Sequence, residues 1–328
     1  MVGNPRYNKA VDTIQKNAIT QHLRKHYAFQ SIDAIQPIIG GEQNRNFAII
    51  AGKERFVLRV YSTHHATTGL RKLPEIDCEL DFMEAAREHG VPTPPVILTA
   101  GDARITILIM EDQPHFATLF GYAQGTEVEK YTPEIARATA QTLLDLRRAS
   151  LSFRRPSPRP WPGDIARLSL AFYEANHERM LSHKGLLDRL HQSAQAGYAQ
   201  IESANLPTGV IHGDVKLGNL LVKSGKIRAV IDFDDYRETY LLEEFTRTLM
   251  HDLDSPMRNA IRAGQFSIFQ TALASDSTVT TGEIAHLGTF LRARLVYDLT
   301  AYALAGLDAL VDEMLADQSV REVLLSGF

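Results

Sequence analysis

Four polar side chains are concentrated in one short stretch of the chain. Residues 212–219 include His212, Asp214, Lys216 and Asn219. The aliphatic runs on both sides are typical of short buried strands. A polar cluster between such strands is either a loop whose groups satisfy one another or a functional site. Side-chain oxygens of the kind that Asp214 and Asn219 carry are the ligands that Mg²⁺ prefers in proteins.

A predicted hairpin after this stretch brings a further carboxylate to it. Two apolar runs flank Gly225 and Lys226, and glycine in the first turn position suits a type II′ turn. In this register Asn219 pairs with Asp232, while Asp214 lies on the loop that enters the hairpin. Oxygen atoms that converge in this way predict a Mg²⁺ site, where phosphates and water complete the coordination. The reaction implied is phosphoryl transfer.

The sequence around these residues resembles a known enzyme family. His212-Gly213-Asp214, Asn219 five residues after the aspartate, and Ile231-Asp232-Phe233 are similar to the catalytic loop and metal-binding motif of the aminoglycoside phosphotransferase family. This family includes type II homoserine kinases, choline kinases and some bacterial protein kinases. The resemblance extends over roughly residues 20–310 and implies a kinase-like fold with ATP as phosphate donor. The alternative is that the match is a polar loop that arose by chance.

The resemblance implies a role for each matching residue. Asp214 corresponds to the catalytic aspartate, which orients the acceptor hydroxyl and takes its proton. Asn219 and Asp232 correspond to the two Mg²⁺ ligands. Lys216 is similar to a lysine that contacts the transferred phosphate, and His212 is a hydrogen-bonding brace.

The first half of the chain contains candidate nucleotide contacts. Gly40, Gly41 and Asn44 lie between two predicted strands, where a kinase fold places the loop that covers the phosphates. A plain turn is the alternative for this glycine pair. The predicted strand 56–61 resembles the kinase strand that carries a phosphate-binding lysine, and Arg59 occupies that position.

Three further residues complete the predicted nucleotide site. Glu79, on the next predicted helix, is placed to pair with Arg59, and the alternative is a solvated helix glutamate. Phe120 and Tyr122 end the last strand before the composition changes. They are the expected hinge, whose backbone would receive adenine.

Some positions depart from the family pattern. Arg147 occupies a position where the family usually has a histidine. Glu244 replaces an aspartate that braces the catalytic loop, and its longer side chain is expected to shift the loop. Asp234 and Asp235 extend the metal motif, and they either attract a cationic part of the acceptor or cap the following turn.

The predicted fold class is α+β, a bilobal protein-kinase-like fold. Residues 1–123 are expected to form an antiparallel β-sheet lobe with one inserted helix, and residues 124–328 a mainly helical lobe. The first lobe is predicted as a meander with strands at 35–39, 46–50, 55–61, 96–99, 105–110 and 116–122, and with a helix at 74–89. The second has helices at 133–149, at 165–202 with breaks at Gly185 and Gly197, and from about 241 onwards.

Composition narrows the class of protein. The chain has 328 residues and a net charge of −4, so no nucleic acid or membrane partner is expected. The single cysteine, Cys78, fits a reducing compartment, and neither a signal peptide nor a transmembrane segment is recognised. The predicted location is cytoplasmic, and the oligomeric state stays open.

The predicted function is ATP- and Mg²⁺-dependent phosphorylation of a small-molecule hydroxyl. The stretch 43–47 and the catalytic loop are similar to type II homoserine kinases, so an amino alcohol such as homoserine is the first expectation. An aminoglycoside or a protein serine or threonine is the enzymatic alternative. A nucleotide-binding pseudokinase that acts as an interaction module is the alternative from another class. The sequence does not distinguish ATP from GTP.

Overall fold

The chain folds into two compact units. The computed structural model describes residues 12–39, 44–65, 69–128, 132–159, 165–179, 184–251 and 263–306. The first unit draws on Met1–Glu84, Thr93–Gln124 and Pro158–Pro160, and the second on Ala85–Pro92, Gly125–Ser157 and Trp161–Phe328. None of the helices within the described ranges has the length and apolar character needed to cross a membrane.

The first unit is built on an antiparallel sheet with helices. Its elements are α1 (Thr13–Tyr27), β1 (Ala34–Ile38), β2 (Arg45–Ala51), β3 (Glu54–Val60), β4 (His64–His65), β5 (Gly69–Leu70), most of α2 (Leu73–Glu88), β6 (Val96–Ile97), β7 (Thr106–Met110) and β8 (Gln113–Gly121). The inserted helix and the six predicted sheet strands are confirmed within a few residues. Helix α1 was not predicted.

The strand order differs from the predicted meander. In the sheet the order is β1-β2-β3-β8-β6, and β7 also pairs with β8. Strand β8 therefore returns to lie beside β3, with Leu58 opposite Leu119. Its residues 117–120 are buried, as expected for a central strand. The meander prediction failed because sequence neighbours need not be sheet neighbours.

The hydrophobic core of this unit lies between α1 and the sheet. Ile19 and Leu23 of α1 pack in one cluster with Ile49, Leu58 and Leu119 of the sheet. Each is fully buried, and burying such a side chain contributes about 1.5–3 kcal/mol. This packing supports the strands that carry the predicted nucleotide contacts.

A buried histidine of α1 predicts a pH dependence of stability. Burial, followed by the nearby His26 and Lys25, lowers the pKa of His22 to about 4, and its Nε2 lies 2.9 Å from Thr106 Oγ1. The unfolded chain therefore binds the proton at higher pH than the folded one, so stability falls as the pH drops from about 6.5 to 4. We expect a loss of roughly 2 kcal/mol over this range.

Urea unfolding of the wild type and of His22→Asn between pH 8 and 4 measures this effect. The variant should show a shallower loss of unfolding free energy, because it lacks the titrating ring. Parallel pH curves for the two proteins would show that His22 does not titrate in this way.

The second unit is mainly helical. Its elements are β9 (Thr126–Glu127), α3 (Pro133–Ser152), α4 (Ile165–Asn176), α5 (Lys184–Ser203), β10 (Thr208–Ile211), β11 (Leu220–Lys223), β12 (Lys226–Val230), β13 (Arg237–Tyr240), α6 (Leu242–His251), α7 (Ala263–Ser275) and α8 (Thr281–Leu304). Short sheets β10-β13 and β12-β11-β9 lie among these helices. The predicted helices are present among the described residues, whereas residues 252–262 and 307–328 of the last predicted helical region lie outside them. Strands β9 and β13 were not anticipated.

The predicted helix break at Gly197 is wrong. Helix α5 continues through this residue. A Cβ at Gly197 would lie 2.5 Å from Thr289 Oγ1 of α8, so the glycine permits close helix packing and does not end the helix. Gly185 lies in the first turn of α5, and residues 180–183 are outside the described ranges.

Candidate active site

The polar stretch begins where strand β10 ends. β10 pairs antiparallel with β13, which places Ile211 opposite Arg237. Gly213 follows with a φ of +79°, and a Cβ there would lie 2.5 Å from the carbonyl oxygen of Asp235. A side chain does not fit this space. Glycine therefore lets the chain turn from the sheet into the loop that carries Asp214.

His212 is a neutral bridge between two backbone segments. Its Nδ1 accepts a hydrogen bond from the backbone N–H of Asp214 at 3.1 Å, and its Nε2 lies 3.1 Å from the carbonyl oxygen of Ile231. One ring nitrogen accepts and the other donates, which is the pattern of a neutral imidazole. Burial lowers the pKa of His212 against the opposing effect of Glu244 and Asp214. This geometry is that of a brace.

Asp214 is buried and surrounded by hydrogen-bond donors. Asn219 Nδ2 donates to Asp214 Oδ2 at 3.0 Å and to its backbone oxygen at 2.8 Å. Lys216 Nζ lies 2.8 Å from the same Oδ2, and Arg247 Nη2 lies 3.3 Å from Oδ1. The structure therefore brings three of the predicted residues together. The donors fix the orientation of the carboxylate, and its role as a proton acceptor stays a prediction.

The hairpin after the loop is confirmed, but its predicted turn is wrong. Ser224 and Gly225 occupy the turn with φ values of 54° and 70°, and Lys223 pairs with Lys226. Two positive φ values are typical of a type I′ turn, which matches the twist of the strands. A bulge after Leu221 then shifts the register.

As a result, the predicted pairing of Asn219 with Asp232 is off by one residue. The backbone oxygen of Asn219 accepts a hydrogen bond from Ile231 N–H at 3.0 Å. Asp232 follows directly, in the left-handed conformation with φ 67° and ψ 58°. Asp232 therefore still lies at the open end of the hairpin, the same end as Asn219.

The donor chemistry of these two residues fits a magnesium ion. The amide nitrogen of Asn219 donates to Asp214, so its Oδ1 is the atom available for a cation. Asp232 supplies carboxylate oxygens. Within the described ranges no cluster of three or more His, Cys, Asp or Glu side chains is arranged as a metal site. A site with two protein ligands suits Mg²⁺, because this ion usually takes its other ligands from phosphates and water. The metal role stays a prediction.

Glu244 braces the loop despite its extra length. It lies on α6 and is buried, and its Oε2 accepts a hydrogen bond from His212 N–H at 2.5 Å. The N–H of Gly213 donates to the two carboxylate oxygens at 3.1 and 3.2 Å. A glutamate therefore reaches two consecutive amides that would otherwise be buried without an acceptor.

We expect Glu244→Gln to reduce both stability and turnover. The amide NH₂ group cannot accept from a backbone N–H, so a buried donor loses its partner, at a cost of about 1–3 kcal/mol. Urea unfolding and steady-state ADP release measure the two effects. Glu238→Gln, on exposed β13 surface, is the matched control. A Glu244→Gln protein as stable and active as the control would show that the brace is dispensable.

Arg147 is part of a buried ion pair within the helical unit. Its Nη1 and Nη2 lie 2.7 and 2.8 Å from the carboxylate oxygens of Glu283 on α8. Nη2 also donates to the carbonyl oxygen of Thr278 at 2.6 Å. Both charged side chains are almost fully buried. Arg147, which departs from the family pattern, is therefore paired with a carboxylate, that of Glu283.

Two arginines next to the loop were missed by sequence reasoning. Arg237 is fully buried on β13 beside Gly213, and burial lowers its pKa to about 10, with a contribution from Arg247. Arg247 contacts Asp214 and lies three residues after Glu244 on α6. Residues three apart share a helix face, so this spacing was the signal available for Arg247.

The predicted ion pair of the first unit is present. Arg59 Nη1 lies 3.3 Å from Glu79 Oε1, and Glu79 is completely buried. Arg59 Nε donates to Asn46 Oδ1 at 3.4 Å. Its guanidinium carbon lies 5.9 Å from the centroid of the Phe120 ring. These contacts hold Arg59 on β3, and its contact with a phosphate stays a prediction.

The remaining predicted nucleotide contacts are only partly described. Gly40 and Gly41 lie outside the described residues. Asn44 is buried, and its Oδ1 accepts a hydrogen bond from Ser62 N–H at 3.1 Å, which joins the ends of β2 and β3. Phe120 is buried at the end of β8, whereas the side chain of Tyr122 is exposed. Their contact with adenine stays a prediction.

Two solved structures with similar folds are kinases. The amicoumacin kinase hAmiN, in complex with AMP-PNP, Ca²⁺ and Ami, covers 94% of this chain and 92% of its own, with a TM-score of 0.66 at 15% identity. The match with a microcompartment-associated aminopropanol kinase covers 92% of this chain and 98% of that kinase, with a TM-score of 0.65 at 21% identity. At such identities the likeness shows the fold, which is the predicted bilobal kinase-like fold.

Sequence comparison identifies the family. Residues 34–275 match the model of the phosphotransferase enzyme family (APH), and the chain belongs to this family. A homoserine kinase of Methylobacillus glycogenes is 29% identical over 219 residues, which are 65% of this chain and 62% of that protein. The matched region thus spans less than two thirds of this curated relative.

Proposed function

We propose that this protein is a kinase that transfers phosphate from ATP, with Mg²⁺, to the hydroxyl group of a small amino alcohol such as homoserine. The observation that carries the proposal is the arrangement around Asp214, in which Lys216 and Asn219 hold one carboxylate oxygen. Membership of the phosphotransferase enzyme family supports the reaction class. The homoserine kinase and aminopropanol kinase relatives support the class of acceptor.

In the proposed reaction Asp214 is the proton acceptor. The acceptor hydroxyl donates a hydrogen bond to Asp214, and its oxygen forms a bond to the γ-phosphorus while the bond between that phosphorus and the β–γ bridging oxygen breaks. ADP leaves, and the hydroxyl proton passes to the carboxylate. Lys216 exchanges its contact with Asp214 for one with the transferred phosphoryl group, as the flexible ammonium permits.

The other side chains bind and orient. Asn219 Oδ1 and Asp232 would hold Mg²⁺, which neutralises phosphate charge when bound. Arg59, oriented by Glu79, would contact phosphate oxygens. Catalysis in this scheme depends on positioning and charge neutralisation.

Acceptor-stimulated ADP release tests the proposal. Purified protein with Mg²⁺-ATP is assayed with homoserine, 3-amino-1-propanol, choline, an aminoglycoside and a generic protein substrate. Stimulation by an amino alcohol that disappears in EDTA and in Asp214→Asn is the expected result. Stimulation only by an aminoglycoside or by the protein substrate would show that the acceptor is not an amino alcohol. If Mg²⁺-ATP does not bind, the kinase proposal fails.

A further inference from the structure

Arg247 lies beside the proposed proton acceptor. Its Nη2 is 3.3 Å from Asp214 Oδ1 and 3.4 Å from Asp235 Oδ2. The side chain is 16% exposed, so solvent reaches part of this side chain. A substrate hydroxyl that hydrogen-bonds to Asp214 therefore places its neighbouring atoms close to this cation.

The contacts of Arg247 are weak for an arginine in this environment. Charge-assisted hydrogen bonds between arginine and carboxylate are usually about 2.7–2.9 Å long. Arg147 meets this range with Glu283, at 2.7 and 2.8 Å, whereas the contacts of Arg247 are longer. The buried Nε of Arg247 also has no hydrogen-bond acceptor among the described residues. The guanidinium thus retains an N–H donor for a further hydrogen-bond acceptor.

Helix α8 contributes further charged groups near Arg247. Asp298 interacts electrostatically with both Arg247 and Arg294. Arg294 pairs with Asp298 at 2.8 Å and lies 5.2 Å from the centroid of the Tyr297 ring. Tyr297 in turn lies 4.9 Å from the ring of Phe172 on α4. Helix α8 therefore adds a carboxylate, Asp298, to the surroundings of Arg247, and Arg294 balances the charge of that carboxylate.

We propose that Arg247 binds a carboxylate of the acceptor, so that the preferred substrate is a hydroxy amino acid and not a simple or cationic amino alcohol. This inference rests on the proposed function. A planar guanidinium suits a carboxylate because it offers two parallel N–H donors. Arg247 is then a specificity-determining residue in addition to a contact of Asp214.

Three acceptors that differ by one group test the inference. Homoserine carries both a carboxylate and an amine, 3-amino-1-propanol lacks the carboxylate, and 4-hydroxybutanoate lacks the amine. For the wild type we expect kcat/KM for homoserine to exceed that for 3-amino-1-propanol by at least about tenfold. In Arg247→Gln the two kcat/KM values should become similar, mainly because the KM for homoserine rises. The kcat/KM for 4-hydroxybutanoate should fall by the same factor as that for homoserine. Arg247→Lys should keep part of the preference for homoserine.

Arg148→Gln is the matched control, because Arg148 also bridges two aspartates, Asp145 and Asp276. Its acceptor preference should equal that of the wild type. An equal loss for all three acceptors in Arg247→Gln would overturn the inference and leave Arg247 as a positioning residue for Asp214. A wild-type preference for 3-amino-1-propanol, choline or an aminoglycoside would overturn it while the kinase proposal stands. Absence of turnover with every acceptor would count against both the kinase proposal and carboxylate binding by Arg247. If Mg²⁺-ATP also fails to bind, the kinase proposal itself is wrong.

Discussion

Replacement of Asp214 by asparagine is expected to lower kcat by about 10³-fold, within the range that a positioned general base contributes. Asparagine has nearly the same shape as aspartate, but its amide does not take a proton at neutral pH. It also removes the negative charge that pairs with Lys216 and Arg247. The backbone hydrogen bonds of the loop remain, because His212 and Asn219 contact main-chain atoms of this residue.

Steady-state ADP release at saturating homoserine, or at whichever acceptor stimulates turnover, measures this effect. Fluorescence titration with an ATP analogue tests whether nucleotide binding is retained. Asp145→Asn, on α3, is a matched control that should keep wild-type kcat. If Asp214→Asn retains more than about a tenth of the wild-type rate, Asp214 is not the general base. A retained rate of this kind with intact nucleotide binding would direct attention to another proton acceptor.

Arg147→Met is expected to cause the largest loss of stability. The substitution removes one member of a buried ion pair and leaves the carboxylate of Glu283, which is completely inaccessible to solvent. Such a change costs about 3–5 kcal/mol, because an uncompensated charge remains in the interior. The carbonyl oxygen of Thr278 also loses its short hydrogen bond.

Urea unfolding measures this loss, with Arg148→Met as the exposed counterpart. Arg148 is 37% exposed, and its pair with Asp145 should contribute only about 0–1 kcal/mol. Its other partner, Asp276, is largely buried, so we expect a total loss between this value and that of Arg147→Met. The double variant Arg147→Met with Glu283→Leu should regain much of the stability, because apolar pairs often replace buried ion pairs without loss. Recovery should be incomplete, since Glu283 also caps α8 through Thr280. A cost below about 1 kcal/mol for Arg147→Met would show that the pair is not needed for folding.

The order of the polar residues in the sequence was enough to predict that the loop brings Asp214, Lys216 and Asn219 together. Asp214, Lys216 and Asn219 are close in the chain, so the short loop itself limits the distances between them. The hairpin and helix α2 were predictable because glycine, proline and apolar spacing are local signals. The pairing of Arg59 with Glu79 was implied by the resemblance to the kinase fold, and the structure contains it.

The contacts that depend on packing were not predictable from local patterns. The hairpin register changed because a type I′ turn at Ser224-Gly225 and a bulge together moved Asn219 opposite Ile231. The central position of β8 and the role of Gly197 as a packing residue depend on elements that are distant in the sequence. Helix α1 was missed, although the core of the first unit is built on it.

The sequence by itself determined the chemistry of the candidate site, because a carboxylate, an ammonium and an amide at these spacings cannot lie far apart in a short loop. Only the tertiary structure decided which groups surround that loop. Arg247 reaches it from α6 and Arg237 from β13, beside Glu244, whose bracing position the family resemblance had already implied. Helix and strand packing brings these side chains to the loop from distant positions in the sequence, so no local pattern contains that information.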